Sequence, residues 1–252
     1  IPSSTAAEAA DTGGGIYEGT QNGVYLYNTI YNNSSTTYVN WMFKRAPGFF
    51  DEVCYTGTGV ATTQAHNLGA VPELMIVKKR SGSNNWVVWQ KDFGTGLYGL
   101  NELYLNLTFA PPTSGGAFLN TPTSTVFSIS IYGASNASGE TYVAYLFATL
   151  AGISKVGSYT GNGTGQAIAC GFSAGARFVL IKRTDSTGDW YTFDSARGLT
   201  SGSSPYLLLN SAAAEVTGNN GVYASTGGFT LGATAITTTN IATATYIFLA
   251  VS

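Results

Sequence analysis

His66, in "TTQAHNLGAVPELMIV", is the only histidine of the 252 residues. A hydroxyl or thiol nucleophile needs such a base, and Asp51 or Glu52 could orient it. The turn-like "HNLG" before Pro72 also fits a purely structural turn. Cys54 and Cys170 are the only thiols, so a zinc site of His and Cys ligands lacks its ligand set. Glu52, Glu73, Glu102 and Glu140 supply carboxylates of the type that hydrolyse glycosides in pairs. "DSTGD" at 185–189 spaces its acids as a calcium loop would, and as a polar hairpin turn would. "TGTG" at 56–59 and "TGNG" at 160–163 are glycine-rich, yet no Gly-Lys-Ser/Thr follows and no helix is expected behind them to cradle phosphate. Trp86, Trp89, Trp190 and Tyr191 are candidate glycan contacts, because flat rings suit the C–H faces of pyranoses. Their places in alternating strands fit core packing as well.

Composition narrows the classes. Charged residues are 10% of the chain and formal net charge is −2, which gives no electrostatic footprint for nucleic acid or an anionic membrane. Lys78, Lys79 and Arg80, echoed by Lys182 and Arg183, read as solvated hairpin ends. No apolar run reaches the ~18 residues of a membrane helix. Abundant glycine with 13% aromatic residues indicates strands joined by polar turns, an all-β chain.

The elements that would position these residues are repeated. "STTYVNWMFK" at 35–44, "GETYVAYLFA" at 139–148 and "TATYIFLAVS" at 243–252 place Tyr38, Tyr142 and Tyr246 at a constant spacing of 104. At that offset residues 49–150 fall on 153–252 without gaps, although 110–135 matches poorly. "YTGTG" meets "YTGNG", "LMIVKK" meets "FVLIKR", and Trp86 meets Trp190. The chemistry is not copied. His66 falls on Cys170 and Cys54 on Ser158, so the thiols are expected free and buried. The four glutamates fall on Val156, Arg177, Tyr206 and Ala244, and "DSTGD" falls on "SGSNN". No catalytic, cofactor or metal site is expected.

Residues 6–28 resemble 212–233 with small gaps. Residues 1–43 therefore read as the C-terminal half of a preceding module, 44–150 as module A and 151–252 as module B. The whole reads as a segment of something longer. Module B offers runs at 155–163, 177–183, 189–194, 204–210, 221–232 and 244–252, six to eight short strands on the scale of a two-sheet sandwich. "AAAEV" at 212–216 makes one helical turn at most. "FVLI" and "YIFLAV" are apolar on consecutive positions, which predicts strands covered on both faces, by the opposite sheet and by neighbouring modules or subunits. The leading half module must complete its structure with another segment, since bare strand edges aggregate.

At "YVNWMFKRAPGFFDEVCYTGTG", "HNLGAVPELMIVKKRSGSNNW" and "GFSAGARFVLIKRTDSTGDWYTFDSARG" the sequence resembles a repeated β module of tailed-bacteriophage virion proteins, notably tail-fibre and tail-associated proteins of marine and cyanobacterial phages. It departs from them at 110–135 and at the final "YIFLAVS", where relatives carry a Trp and basic ending. The resemblance implies tandem antiparallel β-sandwich modules, jelly-roll or lectin-like, in a structural, non-enzymatic tail fibre or appendage on the virion surface, serving as scaffold and in host-surface attachment. Implied partners are other virion proteins and copies of the chain, a trimer by analogy with phage fibres, with no nucleic acid, no membrane insertion and no cofactor. A glycan-binding adhesion module, a capsid decoration and a polysaccharide depolymerase are the alternatives, the last using the module A carboxylates.

Overall fold

The computed structural model describes residues 3–9, 16–17, 25–26, 32–93, 95–96, 99–111, 116–218, 221–233 and 237–252. Much of 6–28, and residues 112–115 of the poorly matching stretch, lie outside the described residues. The chain forms two compact units, Glu8–Phe43 and the combination of Ile1–Ala7 with Lys44–Ser252. In the smaller unit β1 (Ile16–Tyr17) pairs antiparallel with β2 (Tyr25–Leu26).

The larger unit begins with β3 (Phe50–Thr56), β4 (Thr62–Ala65), β5 (Leu74–Lys79) and β6 (Trp86–Gln90). Next come the short pair β7 (Thr95–Gly96) and β8 (Gly99–Leu100), then β9 (Leu103–Tyr104), β10 (Val126–Ile129) and β11 (Thr141–Phe147). Module B holds β12 (Ser154–Thr160), β13 (Gln166–Ala169), β14 (Phe178–Arg183), β15 (Trp190–Asp194) and β16 (Leu207–Leu208). It closes with β17 (Val222–Ser225), β18 (Gly228–Leu231) and β19 (Thr245–Val251).

Each module has a five-stranded antiparallel sheet of one order, β3-β11-β5-β6-β9 in A and β12-β19-β14-β15-β16 in B. The registers agree at the 104-residue offset, with Tyr142 opposite Tyr55 and Tyr246 opposite Tyr159. Facing these are β13-β18-β17 in B, and in A the pair β10-β4 extended by a bridge from Phe118 to Ile129. The all-β sandwich expected from composition is present.

The poor match at 110–135 has a physical cause. β4 and β13 correspond at 104, but their partners do not: "FSI" at 127–129 occupies the place of "FTL" at 229–231, an offset of 102. Module A is two residues longer before β10 and two shorter after it, so the gapless alignment is corrected to one with two compensating changes. A shift of two preserves which side chains face inward, whereas a shift of one would reverse them all. Phe127 and Ile129, like Phe229 and Leu231, are completely buried.

The recurrent Thr-Tyr phrase is explained by the core. Tyr55 and Tyr142 stack with centroids 5.2 Å apart, and Tyr159 and Tyr246 do so at 4.9 Å. The Tyr142 hydroxyl accepts the N–H of Ala137 at 2.8 Å and that of Tyr246 accepts from Ile241 at 3.0 Å. In the smaller unit Tyr38 accepts from Asn33 at 3.3 Å, again five residues back. Three residues before each tyrosine the backbone turns through a left-handed position, Ser35 (φ 64°), Gly139 (φ 76°) and Thr243 (φ 69°). The loop facing this turn carries "TGTG" or "TGNG". A Cβ on Gly57 or Gly161 would lie 2.2 Å from the carbonyl oxygen of Ala137 or Ile241. The glycine motif thus permits close packing of two backbones.

Several details differ from the sequence reading. Cys170 is buried but Cys54 is exposed, because it lies on the outward face of edge strand β3. The one described α turn, Gly133–Asn136, had no counterpart in that reading, while "AAAEV", allowed one turn at most, forms none. β13 had no counterpart in that reading, since "QAIA" is short and weakly apolar.

Candidate functional site

Alternation along β14 sends Val179 and Ile181 into the module B core and Leu180 and Lys182 the other way. Register places Trp190, Thr192, Ile247 and Leu249 on that second face as well. All six are 5% exposed or less. Module A supplies part of their cover. Leu74 and Gln90 of module A share a cavity of about 10 Å³ with Leu180, Trp190, Ile247 and Leu249. The Trp190 Nε1–H donates to the Tyr104 carbonyl at 2.9 Å. Lys182 Nζ donates to the Thr108 carbonyl at 3.2 Å and to that of Arg183 at 2.9 Å. The Gly188 N–H, in the turn between β14 and β15, also reaches the Thr108 carbonyl, at 2.8 Å.

The receiving side of this joint occurs a second time in the larger unit, there meeting the carbonyls of two adjacent residues. Lys78 Nζ donates to the Thr5 carbonyl at 3.2 Å and to that of Lys79 at 2.9 Å. The Asn84 N–H donates to Thr5 at 2.9 Å, and Trp86 Nε1–H to Ser4 at 3.0 Å. Lys78, Asn84 and Trp86 are the 104-residue counterparts of Lys182, Gly188 and Trp190. Residues 4–5 thus serve module A as residues 104–108 serve module B.

Lysine at this position is costly. Lys182 is fully buried and its ammonium is held by backbone carbonyls. Burial pushes its pKa down from 10.5 to about 8, against an opposing pull from Asp189. Lys78 is lowered too, by burial and by neighbouring Lys79. The expectation of solvated hairpin ends is therefore corrected for both. A basic pair at a strand end is ordinarily exposed, and the signal that could have separated these is the Lys-x7-Trp spacing shared by both modules.

Three of the four candidate glycan contacts are buried. Trp89, Trp190 and Tyr191 are 3%, 1% and 7% exposed, so no ring face is open to a pyranose. Trp86 is half-buried, with its indole N–H bound to Ser4. His66 is buried; its Nδ1 accepts from Leu68 N–H at 3.3 Å, leaving Nε2–H to donate to the Thr123 carbonyl at 3.2 Å. Desolvation lowers its pKa, opposed by Thr123 and Asp51, and its ring ties a loop to the start of β10.

The carboxylates are held separately. Glu73 accepts from the backbone N–H and the hydroxyl of Thr149. Glu102, raised in pKa by burial, accepts from Tyr104 OH and Ala117 N–H, both at 2.9 Å. Glu140 pairs with Ser81 and Lys79, and Glu52 is exposed. In "DSTGD", Asp185 binds Arg183 while Asp189 accepts from Asn210. Among the described residues no group of three or more His, Cys, Asp or Glu is placed to hold a metal ion.

A wider cleft of about 380 Å³ opens where Lys91 and Asp92 of module A meet Lys155, Ser158 and Ile168 of module B. Asp92 is held below its ordinary pKa: burial raises it, but hydrogen bonds from Gln90 and Ser158 and the charge of Lys91 prevail. Ser158 thus links the modules at a second point.

Residues 1–252 match a family model described as a domain of unknown function, DUF7483. The chain belongs to the DUF7483 family. No curated protein and no solved structure matches it.

Proposed function

We propose that this DUF7483 chain is a structural, non-enzymatic component of a tailed-bacteriophage particle, in a tail fibre or related appendage, where it builds a series of β-sandwich modules and presents their loops to the host surface. The observation that carries the reading is where the buried polar chemistry is spent. Lys182 and Trp190, the groups most expensive to desolvate on their face, join one module to the next. The resemblance of its phrases to phage virion modules suggests the setting. The glycan-binding alternative loses its candidate rings, since three of the four are buried.

Immunogold labelling of purified particles of the phage encoding this chain tests the proposal. Label along the tail or its fibres is expected. Label over the shell would reassign the chain to capsid decoration, and unlabelled particles free of the chain by mass spectrometry would overturn the proposal.

A further inference from the structure

The turn that module A offers to module B exists once more, and among the described residues no lysine or tryptophan donates to its carbonyls. After β9, the Leu105 N–H donates to Trp86 O, the Leu107 N–H to Tyr104 O, and Asn106 Oδ1 accepts from Trp86 N. After β16, Leu209, Ser211 and Asn210 make the corresponding bonds to Trp190, Leu208 and Trp190. The two turns are built alike, but Leu103 and Leu105 are 1% and 4% exposed, whereas Leu207 and Leu209 are only half-buried. Ala212, the counterpart of Thr108, is exposed.

The receiving side shows the complementary deficit. Trp190, covered by a whole module, is 1% exposed; Trp86, which meets Ser4 and Thr5, is only half-buried.

We propose that the turn at residues 207–212 is a docking surface for a second copy of this chain, received by its Lys78–Trp86 hairpin in place of Ser4 and Thr5. The exchange replaces the carbonyls of Ser4 and Thr5 with equivalent ones, and adds cover for Leu207, Leu209 and Trp86. Because donor and receiver are different surfaces, the association is head-to-tail and propagates. The tethered residues 4–5 compete at an effective concentration on the order of millimolar, so assembly rises with protein concentration. The inference rests on reading the chain as a module that builds in series.

Engineered cysteines test it in the full chain. Cys54→Ser removes the exposed thiol using the residue found at its counterpart, Ser158; Cys170 is buried with its pKa pushed up to about 11. In that background Thr108→Cys with Gly188→Cys is the control, and should give an intramolecular disulfide, since these backbones touch at 2.8 Å. Asn84→Cys with Ala212→Cys should give an intermolecular disulfide ladder on mild oxidation, growing with concentration. It should be absent when either cysteine is present alone, and reduced at least tenfold by adding Leu209→Asp. A working control beside an 84/212 variant that stays monomeric, or closes within one chain, overturns the proposal. Failure of particle labelling would remove the virion setting and leave this result standing; a missing ladder with labelled fibres would remove only the self-docking.

Discussion

Lys182 shows how a single side chain can set the behaviour of a joint. Its folded pKa of about 8 lies below the ordinary 10.5, so from about pH 8 upward the unfolded chain binds the additional proton. The Lys182 contribution to stability therefore rises with pH in that window, and below pH 8 the desolvation penalty is carried in full. Read as the difference between the wild type and Lys182→Met in denaturant midpoints, this contribution should grow by about 1 kcal/mol between pH 8 and pH 9. At higher pH the tyrosines and Cys170, whose folded pKa values burial raises, ionise in the unfolded chain and pull total stability down. Thr243 presents a different cost. A β-branched residue at φ 69° is strained, and its counterpart in module A is Gly139. Thr243→Gly should stabilise module B by about 1 kcal/mol in chemical denaturation.

Elements were legible where their pattern was strong. The 104-residue period, the four long strands of each module's larger sheet and the two-sided cover of "FVLI" could all be read, because aromatic and β-branched runs alternate with glycine-rich turns. The two-residue displacement of β10 was hidden, since "FSI" and "FTL" match only once 104 is abandoned. β13 was missed because four residues with one large apolar side chain carry little signal. The joint escaped for another reason: Tyr104, Thr108, Ser4 and Thr5 take part through backbone carbonyls, which are identical for every residue. Gly161 belongs to this scale too. Gly161→Ala would drive a methyl into the Ile241 carbonyl and push the "TGNG" loop off the turn before β19. A loss of about 1–3 kcal/mol is expected, with faster hydrogen exchange at Ile241 as the local readout.

At the scale of the molecule, the two modules of the larger unit are coupled through Trp190, Lys182 and Gly188. In a serial array, stability is the sum of each module and its shared boundary. Calorimetry of the intact chain should show modules A and B melting together. Trp190→Phe keeps a ring but loses the bond to Tyr104, and should destabilise by about 1–2 kcal/mol. It should also split the melt into two transitions, with the stability of module A nearly unchanged. A single unsplit transition in that variant would mean that the remaining contacts, including Ser158 with Asp92, suffice for coupling.

The joint addresses main chain on one side and side chains on the other. The receiving hairpin has the same lysine and tryptophan in both modules, while the carbonyls that meet them belong to Ser4 and Thr5 in one and to Tyr104 and Thr108 in the other. Such a connector is indifferent to vocabulary: units that have diverged widely in their loops can still be shuffled, lost or gained between neighbours, provided each one retains its socket.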